Sequence, residues 1–170
     1  MTAFEVIRDL VLLALGVFGA ALSIFNYVQA DRRERRTMRV AMNTVMPTYF
    51  DGTIGNPYVQ IEATNTGHRP IAVTTMYILV PGGGKLVSMA GSTFPGVPDT
   101  GLPVTLTDGQ SATKTYAYID VARALSKSGR STMVTLTPVA EDSSGGMHKG
   151  KPWTTSADEI ERQSGPISSR

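Results

Sequence analysis

The sequence predicts a mainly β chain: an N-terminal transmembrane α-helix, then an antiparallel β-sandwich of about seven strands with one short helix. Three observations point there. Leu10 to Val28 is a 19-residue run without a charged side chain, which at about 1.5 Å per helical residue reaches roughly 28 Å, the depth of a hydrocarbon core. Beyond Val40, short segments alternate apolar and polar residues or are rich in β-branched ones, the signature of strands. Clusters of Gly, Pro, Asn and Asp separate those segments at the spacing of a sandwich.

The apolar run reads LVLLALGVFGAALSIFNYV, and its only strongly polar side chains are Ser23 and Asn26. A core helix of a soluble domain would carry a polar stripe, and this run has none. A cleaved signal peptide is the rival reading, since Val28-Gln29-Ala30 offers small residues at the cleavage spacing. Against it, the first nine residues set one Arg against Glu5 and Asp9, and the apolar run exceeds a signal's core. The RRERR cluster that follows resists translocation. Residues 1–30 are therefore expected to be a retained membrane anchor, and 31–38 a basic connector that prolongs the helix to about Arg39.

Orientation follows from charge. Arg8 stands alone before the run, whereas Arg32, Arg33, Arg35, Arg36 and Arg39 stand behind it. Basic residues mark the cytoplasmic flank of a span. The expectation is a single-pass protein of the inner (cytoplasmic) membrane, with its N-terminus outside and the rest in the cytoplasm. Those arginines meet anionic headgroups at about 1 kcal/mol per side chain near the surface. Within the span, Gly16, Gly19, Ala20 and Ser23 fall at i, i+3, i+4 and i+7, and Asn26 continues the stripe. Small residues let helix backbones approach, and Asn can hydrogen-bond across the contact. Self-association, or association with another membrane protein, is expected through this stripe.

The net charge of +2 has one source. Asp31 to Arg39 carries five Arg against one Asp and one Glu, a net of +3, so the remainder is −1. A nucleic-acid partner, which calls for basic residues along a face or groove, is not expected. The absence of cysteine excludes disulfides, thiolate catalysis and metal–thiolate sites.

The β domain is expected over 39–155. In Tyr58 to Thr64, Val59, Ile61 and Ala63 point one way and Gln60, Glu62 and Thr64 the other. Residues 65–70 are turn chemistry, with Gly67 at a position for positive φ. Ile71 to Val80 is apolar on both faces, as a central strand is, and Pro81-Gly82-Gly83-Gly84 ends it. A short strand, Lys85 to Met89, leads into a Gly/Pro-rich loop, 91–103, whose role the pattern does not explain. Val104 to Leu106 is a strand closed by Asp108-Gly109, and Ala112 to Ile119 is another. Asp120 is placed to cap a small helix with Val121, Ala124 and Leu125 on its apolar face, stopped at Gly129. Thr132 to Val139 is a strand, 142–146 a hairpin turn, and Met147 to Trp153 the returning strand. The polar stretch 156–170 reads as a disordered tail.

Little in this chain carries catalytic chemistry. PGGGKL (Pro81 to Leu86) departs from a phosphate loop, because Leu79 stands where the first Gly belongs and Leu86 follows the lysine where Ser or Thr should. A hairpin turn fits it better. His68 and His148 lie beside turns, and a metal site would need them at one end of the sandwich with Glu141 or Asp142. No nucleophile elbow occurs. No catalytic, cofactor or metal site is predicted, and no enzyme. Tyr116 and Tyr118 share a predicted strand face with Lys114. If exposed they form a partner surface or a sugar platform; packing against Trp153 is the preferred alternative.

Three stretches, IEATNTGHRPIAV, LTDGQSATKTY and VAEDSSGGMHKGKPW, resemble strand–turn patterns of uncharacterised bacterial single-span membrane proteins with an immunoglobulin-like β-sandwich domain. Together they cover about a quarter of the chain. The resemblance implies that fold and no activity. The reading is a membrane-anchored, non-enzymatic interaction module, or an accessory subunit of a membrane complex, whose partner the sequence leaves open. The alternative is an extracytoplasmic module binding carbohydrate or cell wall.

Overall fold

The computed structural model describes residues 3–34, 37–88, 94–96, 98–129 and 132–164. The chain divides into two compact units, Met1–Arg35 and Arg36–Arg170.

The first unit is one helix, α1 (Ala3–Glu34). Its segment Leu10–Ala30 spans 21 residues, is long and apolar enough to cross a membrane, and has no residue buried within the protein. At about 1.5 Å per residue, α1 is roughly 48 Å long. Arg32 and Arg33 lie in its last turn, while Arg35 and Arg36 fall outside the described residues. The helix does not run on to Arg39. That residue is exposed in β1 (Met38–Val45), opposite Thr64, where ladder pairing fixes an extended backbone.

The second unit is built on antiparallel sheets, with nine strands and two helices among the described residues. A three-stranded sheet has β2 (Tyr58–Asn65) between β1 and β6 (Ser111–Ala117). In the other sheet β3 (Ile71–Leu79) and β7 (Val134–Asp142) pair centrally. The short strands β4 (Lys85–Leu86) and β5 (Val104–Leu106) pair with β3, and β8 (Met147–Lys149) and β9 (Trp153–Thr155) with β7. The strand count exceeds the expected seven by β1, which was not expected as a strand, and by the division of the last strand into β8 and β9. The expected return strand 147–153 is split where Pro152 lacks a donor and Gly150 passes β1. A Cβ on Gly150 would collide with the Val40 carbonyl oxygen.

The alternation in β2 buries Val59, Ile61 and Ala63 as predicted. They share one hydrophobic cluster with Val73, Met76 and Ile78 of β3 and Leu136 and Ala140 of β7. The two helices join the same cluster. The first, α2 (Tyr118–Lys127), contributes Tyr118, Val121, Ala122 and Leu125. It starts earlier than predicted: Tyr118 is its first residue, Asp120 lies in its first turn, and no side chain caps it. Tyr118 N–H instead donates to the Pro57 carbonyl at 3.3 Å. Gly129 ends the helix at φ +72° and donates to the Ser126 carbonyl.

The polar stretch from Ser156 is not a disordered tail throughout. It forms α3 (Ala157–Ser164), which buries Ala157 and Ile160 and packs on α2. Ser156 Oγ accepts Glu159 N–H at 3.2 Å, the start of a capping box. Residues 165–170 lie outside the described residues.

Pairing register defines the ends of the β domain. Met38, where the chain enters, lies opposite Asn65, and Val45 lies opposite Tyr58. Eight residues of β1 therefore separate the entry end, with turns 65–70, 107–110 and 142–146, from an opposite end that holds residues 46–57. The separation is about 26 Å.

Candidate interaction surface

Residues 46–57 connect β1 to β2 as a small hairpin. Thr48 bridges Ile54, Tyr49 N–H donates to the Thr53 carbonyl at 2.9 Å, and Gly55 N–H to the Pro47 carbonyl at 2.8 Å. Tyr49-Phe50-Asp51-Gly52 is the turn. Gly52 N–H closes it on the Tyr49 carbonyl at 2.9 Å, with Gly52 at φ +80°, a conformation glycine takes without steric cost. Asp51 Oδ1 accepts both the backbone N–H of Thr53 (2.9 Å) and its hydroxyl (2.7 Å). These bonds hold the Asp51 carboxyl below the usual aspartate range. At the root, Pro47 and Pro57 are buried, and the Pro57 carbonyl receives the first N–H of α2. Gly55 passes so close to the Pro47 ring that a Cβ would sit 2.7 Å from Cγ.

This ordered frame carries apolar side chains outward. Phe50 has a relative exposure of 115%, and Met46, Tyr49 and Ile54 are between 44% and 49% exposed. Scattered exposed apolar residues are ordinary, but four within nine residues on a hydrogen-bonded hairpin form a patch of the kind that partners cover. Behind it, the Tyr58 ring meets Phe94 edge-on with centroids 5.1 Å apart. Burial, followed by nearby Tyr49 and Asp120, raises the Tyr58 hydroxyl above its ordinary range. On the same end, a cavity of about 380 Å³ opens between Leu86, Tyr116, Ala117, Val121 and Ala124, with Asp120 and Lys85 also in its wall.

At the entry end the polar side chains serve the fold. Asn65 is fully buried. Its amide donates to the carbonyls of Arg69 (2.8 Å) and Leu106 (3.0 Å), and its oxygen accepts Gly67 N–H at 3.0 Å. Gly67 does not take the predicted positive φ; the Asn65 side chain shapes that turn instead. His68 pairs with Asp108 at 2.7 Å and His148 with Asp142 at 2.9 Å, so each histidine lies against its own carboxylate. No group of three or more potential metal ligands occurs among the described residues. Asp142 Oδ1 also takes the N–H groups of Ser144 and Gly146 and the Ser144 hydroxyl, which together with His148 hold its carboxyl far below the usual range. Next to it, Glu141 receives Lys85 Nζ (2.8 Å), the Tyr77 hydroxyl (2.7 Å) and the Thr75 hydroxyl (3.0 Å). These donors lower its pKa from the usual 4.5 to about 2.

Gly16, Gly19, Ala20, Ser23 and Asn26 are exposed along α1, with nothing near either glycine. Tyr116 and Tyr118 are not a partner surface, because both are buried. The Tyr116 hydroxyl donates to the Met76 carbonyl at 3.0 Å, and the Tyr118 hydroxyl lies 2.6 Å from Thr44 Oγ1. Tyr118 packs against Trp153 with centroids 5.9 Å apart and planes tilted by 35°, so the packing expected of both tyrosines is seen for this one. The two tyrosines share no strand face, since β6 ends between them. PGGG is a hairpin turn, with Gly82 and Gly83 at positive φ. Of the Gly/Pro loop, 91–93 and 97 lie outside the described residues. Its Asp99 and Thr100 cover the outer edge of β6. Asp99 Oδ1 accepts Thr115 N–H, Thr100 N–H donates to the Thr113 carbonyl, and Lys114 Nζ lies 3.1 Å from Asp99 Oδ2. The hairpin 46–57 was not singled out by sequence. Its signal was Asp51-Gly52, a turn pair directly preceded by two aromatics.

No family model matches the chain, and no curated protein does. Among solved structures, the X-ray structure of Northeast Structural Genomics Consortium target SoR45 aligns with 70% of this chain and 86% of its own. Identity is 14% and the TM-score 0.30, a likeness too loose to bear on fold or function.

Proposed function

We propose that this chain is a membrane-tethered, non-enzymatic interaction module: α1 spans the inner membrane, and the β domain binds a protein through the hairpin 46–57. The observation that carries the reading is Phe50, fully exposed on a turn that backbone and Asp51 hydrogen bonds close. A folded domain has no internal use for an aromatic ring held in water, whereas a partner that buries it recovers about 1.5–3 kcal/mol. The tether reading is supported by the Leu10–Ala30 segment of α1, which carries no charged side chain, has no residue buried within the protein and is followed by the arginine cluster. That cluster favours a cytoplasmic β domain and contact with anionic headgroups. An accessory role in a membrane complex suits the small-residue stripe Gly16, Gly19, Ala20, Ser23 and Asn26, through which a second helix would pack.

An immunoglobulin-like sandwich, and kinship with the bacterial single-span proteins that the sequence resembles, belong to the same proposal. The strand order β1-β2-β6 in one sheet and β4-β3-β7-β8 in the other, with β5 on β3 and β9 on β7, supports them, since a Greek-key sandwich divides its strands between two sheets in this manner. The carbohydrate-binding alternative loses its platform with the burial of Tyr116 and Tyr118.

The natural chain has no cysteine, so one introduced thiol reports topology cleanly. Met133 is 64% exposed in the β domain. Met133→Cys should remain in the membrane fraction after carbonate washing, and should react with an impermeant maleimide only after the cells are opened. Release by carbonate would refute the span, and labelling of intact cells would refute the orientation. In mild detergent, Gly16→Leu with Ala20→Leu should reduce the particle size; an unchanged size excludes the stripe as a contact.

A further inference from the structure

The hairpin 46–57 pairs its exposed ring with a fixed negative charge, and from this we propose that its partner is a protein whose receiving surface is an apolar socket with at least one Lys or Arg on its rim. The inference rests on the interaction reading above and specifies the partner's chemistry. Asp51 follows Phe50 directly, and two bonds from Thr53 pin its carboxylate at the tip. Residues 46–57 contain no Lys, Arg or His to offset it. Any surface that buries Phe50 must therefore lie close to an anion whose position is set. A carboxylate brought against an apolar wall without a counter-charge opposes binding, and one met by a cation at the rim speeds encounter and fixes register.

Two other occupants fit less well. A bilayer surface rich in anionic lipid would repel Asp51. A second copy offers the 380 Å³ cavity, large enough for a ring, since about 150 Å³ suffices for benzene. Its charges are wrong, however. Asp120 stands in its wall, the nearby Arg123 already pairs with Asp120 at 3.8 Å, and Lys85 is held by Glu141 at 2.8 Å. A symmetric contact of two hairpins would set Asp51 against Asp51.

The test uses the full chain in its native membrane, with a photo-reactive phenylalanine analogue at Phe50, a position whose exposure leaves folding untouched. After irradiation the adduct is mapped by peptide sequencing. A single foreign protein should be captured, at a segment of apolar residues flanked by Lys or Arg. Asp51→Lys should cut the adduct yield about fivefold or more, and exchanging the mapped basic residue for Glu should restore it in that background. A protein adduct indifferent to Asp51→Lys, or one lacking a basic neighbour, overturns the inference while leaving the interaction reading intact. Adducts to lipid or to a second copy overturn the choice of partner. If no adduct forms at all, both readings fall.

Discussion

The two ends of the β domain spend their polar groups differently. At the entry end, Asn65, Asp108 and Asp142 are turned onto neighbouring backbone or onto a histidine, and the buried amide of Asn65 joins segments forty residues apart in sequence. At the opposite end, hydrogen bonds are just as dense within residues 46–57, yet they present Phe50 to solvent instead of covering it. On the proposed reading, polar order serves stability in the first case and display in the second. Mutations at the two ends should therefore separate the two properties.

Asn65 should give the largest loss. In Asn65→Ala, the carbonyls of Arg69 and Leu106 and the N–H of Gly67 lose their partner where water cannot easily replace it. Such a change costs about 3 kcal/mol, by the penalty for buried groups left unsatisfied. Chemical denaturation of the β domain should show the midpoint falling with an unchanged slope, and capture through position 50 should persist wherever the domain is folded. A loss below about 0.5 kcal/mol would mean that the Asn65 network is decorative.

Gly55→Ala probes the hairpin's frame. Its new methyl meets the Pro47 ring at 2.7 Å and the Tyr49 ring at 3.1 Å, and neither neighbour is a flexible chain end. The expected cost is about 1–2 kcal/mol, within the range for overpacking. Partner capture should fall with it, because Tyr49 and Phe50 are re-aimed. If capture were unchanged, the ring alone would suffice and the frame would be dispensable.

Acid should weaken the entry end first. Glu141 and Asp142 have pKa values lowered in the folded state, Glu141 to about 2 from 4.5. Their contribution is complete above the unfolded values and drains away as the pH falls through the folded ones. Between pH 5 and 2 stability should thus decline, by an amount reduced by the solvent around Glu141. Glu141→Gln should flatten part of that decline in urea midpoints measured across the range. An unaltered slope would show that Lys85, Tyr77 and Thr75 do not hold the carboxylate in solution.

The sequence announced these regions unequally, for physical reasons. Alternation in Tyr58–Thr64 is plain because one-sided burial imposes a period on the side chains, and β3 is plain because its run is continuously apolar and β-branched. Helix α3 was missed although Ser156 and Glu159 stand at capping-box spacing, since overall polarity masked one buried Ile160. Tyr116 and Tyr118 were read as one strand face because nothing local marks the change from strand to helix between them; the Pro57 carbonyl that receives Tyr118 N–H is sixty residues away. The hairpin 46–57 escaped because exposure has no periodic signature. A ring turned into water reads in sequence like a ring turned into the core.

Phe50→Ser should have the smallest effect on stability and the most informative one overall. The side chain is exposed, so removing it takes nothing from the core, and the change should lie within about 0.5 kcal/mol. If the ring is a binding anchor, the same substitution should lower affinity for the captured partner about tenfold or more, which corresponds to 1.4 kcal/mol at an aromatic hot spot. Phe50→Tyr, which keeps the ring, should retain most of the binding. These measurements require the partner identified by crosslinking, with Met147→Ser, an exposed (58%) apolar side chain on β8 away from the hairpin, as a control. Equal losses at Phe50 and Met147 would indicate general surface stickiness. A loss confined to Phe50, without loss of stability, would establish that the two ends do different work.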